Sequence, residues 1–260
     1  MAINIGRTGT SGRFIGGGAG VYRSTQMKFY VDPFKYACWT GESDSSMVDL
    51  SGWGNDVTVL NGATTRTNGW WSFDGTDDFA KRALDSDFSF GTSTDFTIQM
   101  WYSNQGGTGY DFGLIQQGPF SAGKGLTVDG WNLWYDTSNN KMFLKMGASS
   151  LHSDDTDTTG TTWNGGQWIN IAVVADRSSN TKFYKNGILS STYNSSSSGF
   201  SATATSSQFI IGGTQTTVAS STAVSNDFNG YMGQIQIYAE ALSHDEIRQN
   251  FNANRGIYGV

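Results

Sequence analysis

From Met27 onward the chain alternates short runs of apolar residues with polar, glycine-bearing turns, and the period of that alternation is two. In Asn55–Leu60 (NDVTVL) Val57 and Val59 fall on one face, and in Asp95–Ser103 (DFTIQMWYS) Phe96, Ile98 and Met100 do the same. Met27–Val31 (MKFYV), Gly69–Phe73 (GWWSF), Gln208–Ile211 and Tyr231–Tyr238 (YMGQIQIY) read as further strands, each bounded by Gly, Asn, Asp or Ser. Two hairpins stand out. In Trp131–Met146 the TSNN turn brings Leu133 and Tyr135 onto one face with Met142 and Leu144, leaving Trp134 and Phe143 on the other. In TKFYKNGILSS the pair Asn186-Gly187 signals a type I′ turn, which needs positive φ at both central residues. Trp168–Ala175 (WINIAVVA) is apolar on both faces, the mark of a central strand. Near the end the period changes. In LSHDEIRQNFNANRG, Ser243 and Glu246 form a capping box, Ile247 and Phe251 lie four apart, and Gly256 is placed to stop the helix.

This pattern predicts an all-β fold: a two-sheet antiparallel sandwich, one short C-terminal helix, and no linker between Met27 and Val260. Composition agrees. Of 260 residues 37% are apolar, 15% are charged and two are proline, a poor fit to long helices. Residues 1–26 are set apart. They hold seven glycines, Arg7, Arg13 and Arg23, and no acid, with Ile3, Ile5, Phe14 and Ile15 as short apolar grips. With Lys28, residues 1–31 contribute +4 to a net charge of −6, leaving −10 on the remainder. Such a segment is either a frayed terminus or an attachment arm that orders on an acidic partner. The acidic balance argues against nucleic acid and anionic membranes as partners. Cys38 is the single cysteine, so no intrachain disulfide forms, and neither a signal-peptide core nor a membrane-length apolar run is present. Synthesis in a reducing cytosol is expected.

The segments VDLSGWGNDVTVLNGAT, WWSFDGTDDF, DFTIQMWYS, GQWINIAVVADRSSNTKFYKNGIL and FNGYMGQIQIYAEALSHDEIRQNFNANRG resemble, in order and spacing, the laminin-G-like domains of the concanavalin A-like lectin/glucanase superfamily. The resemblance covers residues 27–260 and implies a jelly roll. Combining DLSG-G-N, FDG-DD and the closing LS-DEI-QNFNA-RG, the chain is similar to the version found in structural proteins of tailed phages. That subtype implies a non-enzymatic virion protein on the capsid or tail, made in the host cytoplasm, contacting other virion proteins through its arm. Display on a symmetric particle implies a homo-oligomer, with a trimer as one option. A carbohydrate-binding module that adheres to glycans is the alternative.

Catalytic motifs are missing. The glucanases of the superfamily use a Glu-x-Asp-x-Glu strand, whereas the glutamates here are Glu42, Glu240 and Glu246, none of them between residues 43 and 239. His152 and His244 lack metal-ligand spacing, and Gly118–Gly125 (GPFSAGKG) lacks the Ser/Thr and the strand-to-helix context of a phosphate loop. Asp74, Asp77 and Asp78 in FDGTDDF could converge on calcium, although Asx hydrogen bonds within the turn are the reading the residues favour. The loop Ser153–Gly160 (SDDTDTTG) is a second acidic stretch, with a solvated loop as its default reading. Trp134 and Phe143 are the pair to test for ring stacking on a sugar, against packing of a second layer.

Overall fold

Period-two alternation decides which side chains meet, and the computed structural model carries it through. It describes residues 20–38, 46–62, 69–83, 85–106, 111–118, 120–121, 125–126, 130–147, 149–152, 163–194, 201–203, 208–214 and 227–260. The strands are β1 (Met27–Val31), β2 (Ser46–Met47), β3 (Val57–Leu60), β4 (Trp71–Asp74), β5 (Phe79–Arg82), β6 (Phe96–Asn104), β7 (Phe112–Gln117), β8 (Phe120–Ser121), β9 (Gly125–Leu126), β10 (Trp131–Asp136), β11 (Lys141–Met146), β12 (Ser149–His152), β13 (Ile169–Ala175), β14 (Asn180–Lys185), β15 (Ile188–Asn194), β16 (Phe209–Ile211) and β17 (Asn229–Tyr238). One helix, α1 (His244–Tyr258), follows.

All strands but β8 and β9, which pair only with each other, form two antiparallel sheets in a jelly-roll sandwich. The first runs β1-β17-β6-β13-β14-β15, with β4 also on β17. β1 and β4 share one edge of β17, on either side of a bulge between Met232 and Ile235. The second runs β12-β11-β10-β7-β16-β5-β3-β2. β13 is central and buried on both faces, as its sequence implies. The hairpin register matches expectation, with Leu133 opposite Leu144 and Trp134 opposite Phe143. Asn186 and Gly187 take φ of 50° and 75°, the values a type I′ turn needs.

Inward residues of both sheets fill the core. Phe29 of β1 meets Phe209 of β16 with ring centroids 5.5 Å apart, and Phe96 of β6 reaches Trp131 of β10 at 6.2 Å. On the outer face of the first sheet, α1 presents Ile247, Asn250, Asn254 and Tyr258 to the strands. This interface is largely polar and hydrogen-bonded. Asn250 Nδ2 donates to Gln99 Oε1 at 2.9 Å and to the Tyr238 hydroxyl at 3.2 Å, and Asn254 Nδ2 donates to Gln234 Oε1 at 3.0 Å. Paired in this way, the buried amides avoid the desolvation cost of an unmet donor.

Two boundaries differ from those read in the sequence. The helix runs through Gly256 and ends at Gly259, which takes the left-handed conformation at φ 72°. The extra turn carries Tyr258, whose ring stacks on Trp101 at 4.2 Å and whose hydroxyl accepts from Gln234 N–H at 2.9 Å. Those contacts outweigh the roughly 1 kcal/mol that a helical glycine costs. They also require a glycine at 233, since a Cβ there would lie 2.2 Å from the Tyr258 oxygen. At the other end, the packed body already includes residues 20–26. Tyr22 N–H donates to Asn250 Oδ1 at 2.5 Å, and the Tyr238 hydroxyl donates to the Tyr22 carbonyl at 2.8 Å. No helix among the described residues is long and apolar enough to cross a membrane.

Candidate functional site

The rim where β4 turns into β5 gathers carboxylates. β4 ends at Asp74, and Gly75 follows at φ 77°, where a Cβ would come within 2.6 Å of Asn229 Cβ on the neighbouring β17. The turn is laced by the Asx bonds the sequence favours: Thr76 N–H donates to Asp74 Oδ1 at 2.7 Å and Asp74 N–H to Asp78 Oδ2 at 2.9 Å. These bonds leave oxygens over. One oxygen from each of Asp74, Asp77 and Asp78 lies within 4.8 Å of the others. Asp78 is 5% exposed, and its Oδ1 has no hydrogen-bond partner.

A further carboxylate near this rim, outside the group of three and missed in the sequence reading, is Asp227. The pairing of Asn229 with Asp74 brings the residues before β17 to this rim. Asp227 Oδ1 is buried and unpartnered, and burial, with the charges of Asp77 and Asp74 behind it, pushes the carboxyl up to about 6. Burial is also the main cause raising Asp78, with Asp74 and Asp77 adding to it. Among the described residues no Lys or Arg pairs with any of the four. The donor set is all hard oxygen. Ligands on opposite sides of a calcium ion, bound at about 2.3–2.6 Å, stand roughly 5 Å apart, so the spacing suits such an ion. In sequence Asp227 carries no local signal, because no turn or motif ties it to FDGTDD.

A second feature lies on the outer face of the same sheet. Trp70, immediately before β4, meets Trp168 at 5.4 Å and Tyr231 at 5.7 Å between ring centroids, and Phe34 meets Trp70 at 6.3 Å. Phe34 is 41% exposed, and Trp70, Trp168 and Tyr231 are part-exposed. Tyr258 backs the group, 4.7 Å from Trp168. Alternation explains the placement, because Trp71 and Phe73 point inward and so Trp70, Ser72 and Asp74 point outward. The signal was therefore present in GWWSF and WINIAVV.

Other residues nominated from the sequence are placed as follows. Trp134 is 1% exposed and packs against Phe143 at 5.4 Å, with the Lys145 amine 5.7 Å from its ring. A ring so covered offers no free face, and the pair forms a packed outer layer of the second sheet. Arg23 is occupied within the domain: its Nη2 donates to the Leu50 carbonyl at 2.5 Å, and its guanidinium sits 4.6 Å from the Tyr30 ring centroid. Arg7, Arg13, Ile3, Ile5, Phe14 and Ile15 lie outside the described residues, as does the loop at 153–160. Phe120–Ser121 pairs with Gly125–Leu126, so the GPFSAGKG segment contributes to a small hairpin. Glu240 accepts from the Ser24 hydroxyl, and Glu246 completes the capping box with Ser243. His244 is the first residue of α1, with its ring 5.7 Å from that of Tyr184.

A family model of the laminin-G type, described as the concanavalin A-like lectin/glucanases superfamily, matches residues 74–248. Among curated protein sequences no relative matches. Among solved structures, the botulinum neurotoxin serotype D binding domain superposes with a TM-score of 0.63 at 14% identity, over 88% of this chain and 51% of that one. The serotype D ligand-binding domain in complex with N-acetylneuraminic acid gives 0.63 at 15%, over 87% and 50%. The neurotoxin DC binding domain in complex with rat synaptotagmin II gives 0.62 at 14%, over 88% and 51%. This chain spans about half the length of each, and the likeness is one of fold.

Proposed function

The chain belongs to the laminin-G-like branch of the concanavalin A-like lectin/glucanases superfamily, and we propose that it is a non-catalytic carbohydrate-binding module. The observation that carries this reading is the aromatic surface of Phe34, Trp70, Trp168 and Tyr231. Part-exposed rings held rigidly by a sheet present apolar faces to the C–H face of a pyranose, at little cost in side-chain entropy. Ser72 of β4 pairs with Tyr231 and places a part-exposed hydroxyl on the same outer face. The solved relatives are receptor- and ligand-binding domains, one of them in complex with a sialic acid, which accords with this reading. The roles of Glu240 and Glu246 in local structure support the absence of hydrolysis. A glycan array tests the module directly. Trp168→Ala should weaken any hit roughly tenfold, while Trp134→Ala should leave affinity unchanged in protein that remains folded. Equal loss from both variants, or no hit at all, removes the reading.

A second role is compatible with the first and is supported by the acid-free start of the chain. Display on a phage capsid or tail, as a homo-oligomer attached through the N-terminal arm, would bring Arg7 and Arg13 to an acidic neighbour. Residues 20–26 are packed on the domain, so the deletion that isolates the arm ends at residue 19. Normal incorporation of that truncated protein into particles would rule out attachment through the arm. Light scattering of the full chain reads its subunit number.

A further inference from the structure

The aromatic surface has a charged border. Along β4 the outward positions are Trp70, Ser72 and Asp74, each about 7 Å from the next. On β17, Tyr231 stands opposite Ser72 and Asn229 opposite Asp74, so Tyr231 and Asp74 are diagonal neighbours with Cα atoms about 7–8 Å apart. Asp74 and Asp77 are both exposed, with an oxygen of each within 4.8 Å of the other. Burial together with their charges pushes up the Asp227 carboxyl, which shows the sign of the field at this end. The described cations are engaged elsewhere: Lys28 pairs with Asp87, Lys35 with Asp32 and Arg82 with Asp85. Lys35 adjoins Phe34, but its amine lies 3.5 Å from Asp32 and donates to the Tyr30 hydroxyl at 2.5 Å, so its charge is already met. The rings therefore run out into negative charge that nothing described in the chain balances.

Resting on the glycan reading above, we propose that this surface selects sugars that carry a free amino group, the hexosamine class, and that Asp74 is the residue that discriminates. A pyranose stacked on Tyr231 and Trp168 directs a ring substituent toward the β4 end, where Asp74 and Asp77 stand. A protonated amine there meets an opposite charge as well as a hydrogen-bond acceptor, and ring faces beside it favour a cation further. A hydroxyl or an acetamide meets the acceptor alone, and a carboxylate is repelled. The separation is within the Debye length of about 8 Å at physiological salt, so the charge is felt. Thr76 N–H donates to Asp74 Oδ1 at 2.7 Å, which holds that carboxylate in place and leaves its second oxygen to a ligand. The sugar bound in one of the solved relatives, N-acetylneuraminic acid, is itself an anion. The border on this chain opposes such a ligand, so likeness of fold and likeness of ligand part here.

The full chain is titrated calorimetrically with tetramers of glucosamine, N-acetylglucosamine and galacturonate, at a pH where the sugar amine is protonated. The glucosamine tetramer should bind several-fold more tightly than its acetylated form, the galacturonate tetramer should bind most weakly, and added sodium chloride should narrow both gaps. Asp74→Asn keeps an acceptor for Thr76 N–H and removes the charge. It should cut the ratio of the glucosamine to the N-acetylglucosamine affinity about two- to fivefold. Asp77→Asn, at an exposed side chain, should act in the same direction, so a folding failure of one variant leaves the other to decide. Trp168→Ala should weaken both of these tetramers together, roughly tenfold. Equal affinity for the amino and acetylated tetramers, tighter binding of galacturonate, or a ratio unchanged in both aspartate variants overturns the inference, while a loss in Trp168→Ala keeps the module reading. Glucosamine binding that survives Trp168→Ala undiminished is attraction to the acidic body alone, and overturns it as well. Absence of glucosamine binding does the same, and the glycan array then decides the module reading separately.

Discussion

VDLSGWGND and SFDGTDD read alike as acidic, glycine-bearing turns, yet the structure uses their carboxylates in opposite ways. Asp49, 8% exposed, spends both oxygens on its own surroundings. Oδ1 accepts from Tyr30 N–H and Ser51 N–H, each at 2.9 Å, and Oδ2 accepts from the Ser51 hydroxyl at 2.6 Å and Asn55 N–H at 3.0 Å. One side chain thereby ties β1 to the loop ahead of β3 and holds Trp53 at the loop tip, where the Lys28 amine lies 3.1 Å from its ring centroid. In the FDGTDD turn, one oxygen from each of Asp74, Asp77 and Asp78 lies within 4.8 Å of the others, and Asp78 Oδ1 has no hydrogen-bond partner. A carboxylate with every acceptor filled is a structural pin. Carboxylates massed together repel one another, and burial with that repulsion raises Asp78 and Asp227.

The strongest way to break that contrast is Asp49→Ala. Four hydrogen bonds, two of them fully buried, are lost and several donors are stranded, so urea unfolding should show about 3–5 kcal/mol of destabilisation. A loss below 1 kcal/mol would mean that Asp49 is no pin. Next comes Gly75→Ala, which combines positive φ with a Cβ at 2.6 Å from Asn229 Cβ. It should cost about 2 kcal/mol, because β17 must yield. Gly52→Ala is the matched control in the Asp49 loop. Its φ is also positive, at 98°, but a Cβ there meets nothing within 4 Å, so backbone strain alone should cost about 1 kcal/mol.

Smaller effects distinguish the two kinds of carboxylate by pH. The Asp227 carboxyl is raised to about 6, so between the unfolded carboxyl value near 4 and that point the folded state holds the extra proton. Stability from this group therefore falls as pH rises through about 4 to 6. Asp85 behaves oppositely: burial opposes its ionisation, but the Asp87 N–H and the Arg82 guanidinium outweigh it and hold the carboxyl below its ordinary value. Its contribution is present above about pH 4 and fades as pH drops through its folded value. Asp227→Asn should remove the first dependence and leave the protein at least as stable as the parent, whereas Arg82→Ala should weaken the second and leave the part that the Asp87 N–H supplies. Thermal melts at pH 4, 5, 6 and 7 report both.

What sequence alone determined here was local. The capping box of Ser243 and Glu246, the type I′ turn at Asn186-Gly187 and the facing of Leu133 with Leu144 each follow from a few neighbouring residues and the period of a strand or helix. The carboxylate cluster was legible in the same way, since Asp74, Asp77 and Asp78 share one turn. Tertiary structure alone decided which surfaces were covered and which distant segments met. Trp134 alternates outward and is nevertheless buried, while Trp70 and Trp168 alternate outward and remain part-exposed. Gly256 is a stop signal by composition, but the helix passes it because Tyr258 gains Trp101 and the backbone at Gln234. Asp227 comes under the charge of Asp74, about 150 residues away in sequence, because β17 pairs with β4. Turn chemistry and side-chain period act over a few residues and are written there; burial and charge assembly depend on how whole sheets close, to which every strand contributes.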